Sequence, residues 1–352
     1  MEKVRYAIIG GGGIGKFHAQ ALAKIPGAKL VAIADHDEAK ARELAASYNA
    51  KAYGQYRQML ECCQVDAVCI CVPSGMHEIV AIACIEAGKH VLVEKPLEIR
   101  TDRCDRMIAA AARKGVLLGC VFQSRFSDAA SWLKQAVDGG RFGKSVLGNA
   151  HIKWHRSSEY YDNSDWHGKK KLDGGGALIN QGIHQVDLLR WLMGPVRTVS
   201  AMTKCIAHNG LEVEDLAVAI LEFENGALGT IEATTAVWPG GPARLEIHGT
   251  TGSAVIEDGR LVLWQFRKRL PIDAKIEKAI EANQASGLGS AAADPFASLD
   301  TEGHRRQLKD FTKAIQTGGQ PFVDGHEGRK AVELIKAIYE SAAHQGKLVS
   351  LV

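Results

Sequence analysis

A chain of 352 residues is too long for one ordinary hydrophobic core and predicts two domains. With 43 Lys and Arg against 40 Asp and Glu the formal charge is +3, which gives no electrostatic case for nucleic acid or a membrane surface as principal partner. No apolar run is long enough to span a bilayer, Met1-Glu2-Lys3 leaves no room for a signal peptide, and eight irregularly spaced cysteines, several in apolar runs (Cys69, Cys71, Cys84, Cys120), read as thiols of a reducing compartment, so a cytoplasmic protein is expected.

In chain order, the first predicted element is a strand over Val4 to Ile9, followed directly by Gly10-Gly11-Gly12-Gly13-Ile14-Gly15 and a helix to Lys24. A G-x-G-x-x-G in that setting turns the chain tightly at Gly10, lets backbone approach a pyrophosphate at Gly12, and allows close helix packing at Gly15. The next apolar run, Leu30 to Ala34, ends at Asp35, twenty residues beyond Gly15. A carboxylate there accepts from a ribose diol and repels a 2′-phosphate, so NAD is expected rather than NADP. A helix over Glu38 to Ser47, a short strand near Ala52 and a helix over Tyr56 to Cys62 follow. Then come strand Ala67 to Val72, helix His77 to Ala87, strand His90 to Val93, helix Asp102 to Lys114 and strand Val116 to Val121. Wholly apolar strands alternating with amphipathic helices predict a doubly wound α/β sheet, here a dinucleotide-binding domain over 1–122.

The pattern then changes. After a helix over Asp128 to Val137, strand-like segments dominate: Ser145 to His155, Val196 to Ile206, Leu216 to Phe223, Ala227 to Ala236, Ala243 to His248 and Ser253 to Ile256. They predict a largely antiparallel, open-faced sheet in a second domain, 123–352, that binds substrate and mediates oligomerisation. One helix, Ala177 to Met193, interrupts the strands. Ile272 to Asp300, rich in Ala, Gly and Ser, reads as a mobile excursion, and helices His304 to Gln316 and Glu327 to Ala343 close the chain.

Two clusters carry chemistry. Glu94-Lys95-Pro96 stands just past a strand end, where open α/β sheets bind ligands, and a lysine there can stabilise the alkoxide formed as hydride leaves. In Asp173-Gly174-Gly175-Gly176 through Asp187, glycines lead into a helix with Asn180 and His184 four residues apart, hence on one face. A lone histidine on an apolar helix is often a satisfied core residue; the glycine entry and Asn180 favour a proton acceptor, with Asp187, three residues beyond His184, expected to orient the imidazole. Trp154-His155-Arg156, Tyr160-Tyr161 and Trp166-His167 form a polar-aromatic stretch suited to sugar faces and hydroxyls, or to packing a loop on its own sheet. Lys169-Lys170-Lys171 reads as a solvated turn, or as a lure for an anionic substrate.

These motifs, Gly10 to Gly15 with His18, Pro73 to His77, Glu94-Lys95-Pro96, Gln123 to Phe126 and Gly174 to Asp187, resemble the glucose-fructose oxidoreductase, inositol dehydrogenase and rhizopine-catabolism (Gfo/Idh/MocA) family over nearly the whole chain. The resemblance implies a Rossmann domain, an open-faced sheet, hydride transfer at a sugar or cyclitol hydroxyl, and homo-oligomers, dimer or tetramer, built through the sheet. It implies cofactor contacts from Gly10, Gly12, Gly13, Ile14, Gly15, Asp35, Pro73, Ser74, His77, Glu94, Lys95 and Gln123, with no metal. Catalysis falls to Lys95, His184 and Asn180, and substrate contacts to Lys95, Arg125, Arg156, Tyr160, Trp166, Asn180 and His184. Many inositol-dehydrogenase-like members carry Asp where this chain has Asn180; an amide cannot relay a proton, so a positioning hydrogen bond is expected there. The expected reaction is NAD-dependent oxidation of a secondary hydroxyl. The same parts also suit a lyase or glycosidase-like enzyme that retains NAD for transient oxidation, or a silent NAD-binding regulator.

Overall fold

The computed structural model describes residues 2–285 and 301–351. The opening half runs β1 (Val4–Ile9), α1 (Gly13–Ala23), β2 (Ala28–Ala34), α2 (Glu38–Ala46), β3 (Lys51–Tyr53), α3 (Tyr56–Cys62), β4 (Ala67–Ile70), α4 (His77–Glu86), β5 (His90–Val93), α5 (Thr101–Lys114) and β6 (Leu118–Cys120). The six strands pair in parallel in the order β3-β2-β1-β4-β5-β6. Residues 67–70 of β4 and 91–93 of β5 are buried to within 1% exposure, the signature of a sheet covered on both faces. The order reverses between β1 and β4, which opens a crevice at the carboxyl ends of the strands.

The chain continues through α6 (Asp128–Asp138), β7 (Ser145–Lys153), α7 (Ser158–Asp162), α8 (Lys170–Asp173), a π-helical turn over Ala177–Gln181, α9 (Ile183–Met193), β8 (Val196–Lys204), β9 (Leu216–Phe223) and β10 (Leu228–Thr234). It ends with β11 (Arg244–Gly249), β12 (Gly252–Glu257), β13 (Arg260–Phe266), α10 (Pro271–Ala285), α11 (Thr301–Thr317), α12 (Gly325–Ala343) and β14 (Val349–Ser350). Eight strands form the second sheet, ordered β13-β12-β11-β7-β10-β9-β8-β14. All its pairs are antiparallel except β7 with β10. Helix α9 and the π-helical turn pack on one face. On β9, Ala217, Ala219 and Leu221 are buried while Val218 and Ile220 are exposed, so the period-2 alternation leaves an apolar stripe on the other face.

Four features depart from expectation. Helix 177–193 is broken: Gly182 N–H donates to Ala177 O at 2.9 Å, an i+5 bond that widens the turn before α9 begins. Strand β13 was unexpected, although Asp258-Gly259, at φ 43° and 79°, is the Asp-Gly signal of a hairpin turn. The excursion over 272–300 begins as helix α10; residues 286–300 lie outside the described part. Finally, the compact unit built on the parallel sheet comprises residues 2–123 together with 301–332, and the other unit 124–285 with 333–351. Helix α11 joins the first unit because Tyr6 and Thr312 share a 2.9 Å hydrogen bond, Gln307 donates to Cys120 O and accepts from Phe122 N–H, and Phe311 is buried.

Candidate active site

In the first unit, three turns meet the carboxyl edge of the sheet. After β1, Gly10 lies at φ +103°, and a Cβ there would stand 2.3 Å from the carbonyl oxygen of Cys71. A Cβ on Gly15 would stand 2.1 Å from Gly10 O, so helix and loop touch only because both are glycine. A Cβ on Gly12 would meet nothing within 4 Å, which leaves that side of the loop open. Helix α1 starts at Gly13 with no side-chain cap and no acid in its first turn, so the N–H groups around Gly13 and Ile14 are suited to an anion. Asp35 closes the loop from β2: its Oδ2 accepts from Gly11 N–H at 2.7 Å and its Oδ1 from Asp37 N–H at 2.9 Å. Carboxylate oxygens held this way keep further lone pairs for a diol.

After β4 the chain makes a 3-10 turn at Ser74–Met76, directly behind Pro73, with Ser74 buried. His77 is buried between two backbone carbonyls, its Nδ1 2.8 Å from Pro96 O and its Nε2 2.9 Å from Val72 O. Burial pushes its pKa down. Beyond β5, Glu94 is buried and Lys95 half-buried. Burial would raise the Glu94 pKa, but the hydrogen bond from His18 (Nε2 to Oε1, 2.6 Å) and the proximity of His304 (3.7 Å) hold it well below the usual carboxylate range. Its other oxygen accepts from Lys95 N–H at 3.1 Å. Gln123 begins a 3-10 turn at the end of this unit's first segment. The expected cofactor residues of the unit therefore fall on the loops after β1, β2, β4 and β5, on the first turns of α1 and α4, and on that turn.

In the second unit, Asn180 sits in the π-helical turn and His184 in the first turn of α9, so the i, i+4 argument for one α-helical face does not carry across the break. Asn180 Nδ2 donates to Asp173 Oδ1 at 2.6 Å and Asn180 Oδ1 accepts from Gln181 Nε2 at 3.2 Å. Asp173 is itself buried and accepts from Gly168 N–H. Gln181 ties the aromatic stretch to the turn: its amide donates to Tyr160 Oη at 2.9 Å, and its carbonyl accepts from buried Arg156 at 3.0 Å. The Arg156 guanidinium lies 5.0 Å from the Trp154 ring centroid and 5.7 Å from that of Tyr160, while Tyr160 stacks on His167 and Trp166 leans on the same imidazole. The Lys169 to Lys171 run is exposed.

Arg125, expected to touch substrate, is 3% exposed and forms a bidentate pair with Asp187 at 2.7 and 2.6 Å. That pair braces α9, and it engages both oxygens of the carboxylate expected to orient His184.

Sequence reasoning missed Glu214, in the loop before β9. Its carboxylate accepts from Gly176 and Leu178 N–H groups, both at 2.9 Å, and from Tyr339 Oη. Those bonds satisfy amides at the start of the π-helical turn, which has no side-chain cap of its own. Burial pushes the Glu214 pKa up. A contact spanning 36 to 38 residues leaves no local signal.

Residues 4–122 match the family model described as oxidoreductase family, NAD-binding Rossmann fold, and residues 131–255 match the GFO/IDH/MocA C-terminal domain. The chain is 29% identical over 340 residues to myo-inositol 2-dehydrogenase of Thermotoga maritima, covering 94% of each protein. It is 30% identical over 330 residues to scyllo-inositol 2-dehydrogenase (NAD(+)) of Bacillus subtilis, covering 92% of this chain and 89% of that protein. Among solved structures, the WlbA dehydrogenase from Bordetella pertussis in complex with NADH and UDP-GlcNAcA is similar over 100% of this chain and 98% of that one, at 33% identity and a TM-score of 0.90.

Proposed function

The chain belongs to the GFO/IDH/MocA oxidoreductase family, and on that premise we propose that it oxidises a secondary hydroxyl of a sugar, sugar derivative or inositol with NAD. The observation that carries the cofactor assignment is the uncapped glycine turn closed by Asp35. Bound there, NAD supplies the hydride acceptor. The open side of Gly12 and the α1 N-terminus take the pyrophosphate, and Asp35 takes the ribose hydroxyls.

The residue roles follow from chemistry. Lys95 stabilises the negative charge that grows on the substrate oxygen, and His184 takes the hydroxyl proton. Asn180 orients substrate: with Nδ2 committed to Asp173, the amide is fixed in one sense and cannot ionise. The Arg156–Gln181–Tyr160 network holds aromatic and polar groups ready for a sugar.

A sugar bearing a carboxylate or a nucleotide diphosphate is a second reading of the substrate, supported by the UDP-GlcNAcA complex of a protein 33% identical and by the exposed lysines at 169–171. Incubating the protein and NAD with inositols, anhydrosugars, free aldoses and UDP-sugar uronates, while following NADH absorbance, tests the proposal. Net NADH from a member of the panel supports it and selects the class. Transformation of a sugar with no net NADH points to retained cofactor, and turnover of none of them contradicts the assignment.

Two features of setting complete the reading. None of the eight cysteines, all of them among the described residues, is in a disulfide, in keeping with the reducing cytoplasm where such a reaction would run. A second copy of the chain covers the apolar stripe of the second sheet, where Met202, Val218, Ile220 and Leu228 are between 43% and 60% exposed. No helix among the described residues is long and apolar enough to cross a membrane.

A further inference from the structure

The turn that carries Lys95 is gripped on both sides by buried histidines from distant parts of the first unit. On the amino side stands Glu94, facing His18 of α1 and His304 of α11; on the carboxyl side, Pro96 O faces His77 of α4. All three imidazoles are no more than 2% exposed. An ionised carboxylate only accepts, so the 2.6 Å contact fixes the proton of His18 on Nε2. The Nδ1 atoms of His18 and His304 are buried without a hydrogen-bond partner among the described residues, and the two rings meet edge-on with centroids 5.5 Å apart. The Glu94 carboxylate then spends its second oxygen on the backbone N–H of Lys95. Three His and Glu donors within 4.8 Å of one another also suggest a metal centre. The 2.6 Å separation is nonetheless a hydrogen-bond length, shorter than the roughly 3.3 Å between ligands around tetrahedral zinc at about 2.0 Å.

We propose that His18, His304 and His77 are positioning residues for Lys95: acting through the Glu94 carboxylate and the Pro96 carbonyl, they fix the backbone from which the lysine reaches its substrate. The inference rests on the role given to Lys95 above. It assigns a purpose to charged and titratable groups buried beside a catalytic turn, where a structural core would be apolar. His18 is the direct link and matters most; His304 approaches the same Glu94 oxygen at 3.7 Å; His77 fixes the far side by donating from Nδ1 to Pro96 O.

The test compares His18→Leu, which deletes the donor, with His18→Gln, which returns an N–H to the same place, and with Glu94→Gln, whose amide cannot accept from both His18 and the Lys95 N–H. Three quantities are read on the full chain: NADH affinity by fluorescence, amide exchange of the segment spanning residues 91–97 by mass spectrometry, and kcat and KM with the sugar found in the panel above. In His18→Leu and Glu94→Gln, exchange at Lys95 should quicken about tenfold. Their kcat should fall about 10- to 100-fold, as a displaced catalytic group requires. In His18→Leu, NADH affinity and KM should stay within about threefold, and His18→Gln should recover most of both losses. A purely structural role would lower melting temperature and leave kcat per folded molecule unchanged, and that result overturns the proposal. So does stoichiometric zinc in the purified wild-type protein. Exchange needs no substrate, so it judges the clamp even if Lys95→Ala proves as active as wild type, which would refute only the role of Lys95.

Discussion

The residues proposed to face the cofactor were the most legible, because their chemistry is local. Gly10 and Gly15 stand where a Cβ would collide with backbone, as a tight turn and close helix packing demand, and Asp35 reaches back to Gly11 N–H. Cofactor choice should therefore follow Asp35. NAD should bind more tightly than NADP, and Asp35→Ser should narrow the gap by removing repulsion at the 2′ position; fluorescence titration of both dinucleotides reads this directly. The partners of Asn180 were illegible, since Asp173 comes to it through a loop. They change what Asn180→Asp should do. The new carboxylate would stand within about 3 Å of Asp173, where two like charges cannot both form, so one pKa rises. A raised acid pKa stabilises only while the proton stays bound, so the variant's stability deficit should grow as pH climbs above the unfolded value of about 3.9. At neutral pH its turnover should not exceed that of wild type, as melts and rates across pH would reveal.

At the scale of elements, period and composition predicted the strands and helices that bury one face, and failed where distant partners decide. The π-helical turn before α9 is tied at its start to Glu214, and α11 belongs to the first unit through Tyr6, Cys120 and Phe122, none of which is near it in sequence. Helix α10 is another such case. Its N-terminus is pinned by Asp273, which accepts two bonds from Arg141, one from Trp264 Nε1 and one from Leu270 N–H. Burial would raise the Asp273 pKa, yet those donors lower it to about 2. A depressed acid contributes stability above its unfolded pKa of about 3.9 and loses it as pH falls through about 2. Asp273→Ala should cost about 3 kcal/mol at neutral pH, because it strands a guanidinium whose side chain is only 10% exposed, and the deficit should shrink on acidification toward pH 2. Denaturant titrations of the two proteins at pH 7 and pH 3 measure both effects.

For the whole molecule, a two-domain chain with a parallel sheet and a largely antiparallel one was readable from the change in strand pattern near residue 122, while the return of residues 301–332 to the first unit was not. The open sheet face was readable too, from strands such as β9 that are apolar on both sides. Ile220, 60% exposed on that face, should lie between copies of the chain. Ile220→Lys should lower the mass seen by light scattering at micromolar concentration while sparing NADH binding; a wild-type protein that is strictly monomeric under those conditions would contradict the shared face. The account as a whole rests on the division of labour between a unit that holds NAD and side chains that perform the transfer. Single-turnover NADH formation, with the substrate identified by the panel, compares wild type with Lys95→Ala and His184→Ala proteins that are folded and loaded with NAD. The account predicts losses on the order of 10²-fold or more in the rate of hydride transfer for each variant, with NAD affinity little changed; transfer at the wild-type rate in both would contradict it.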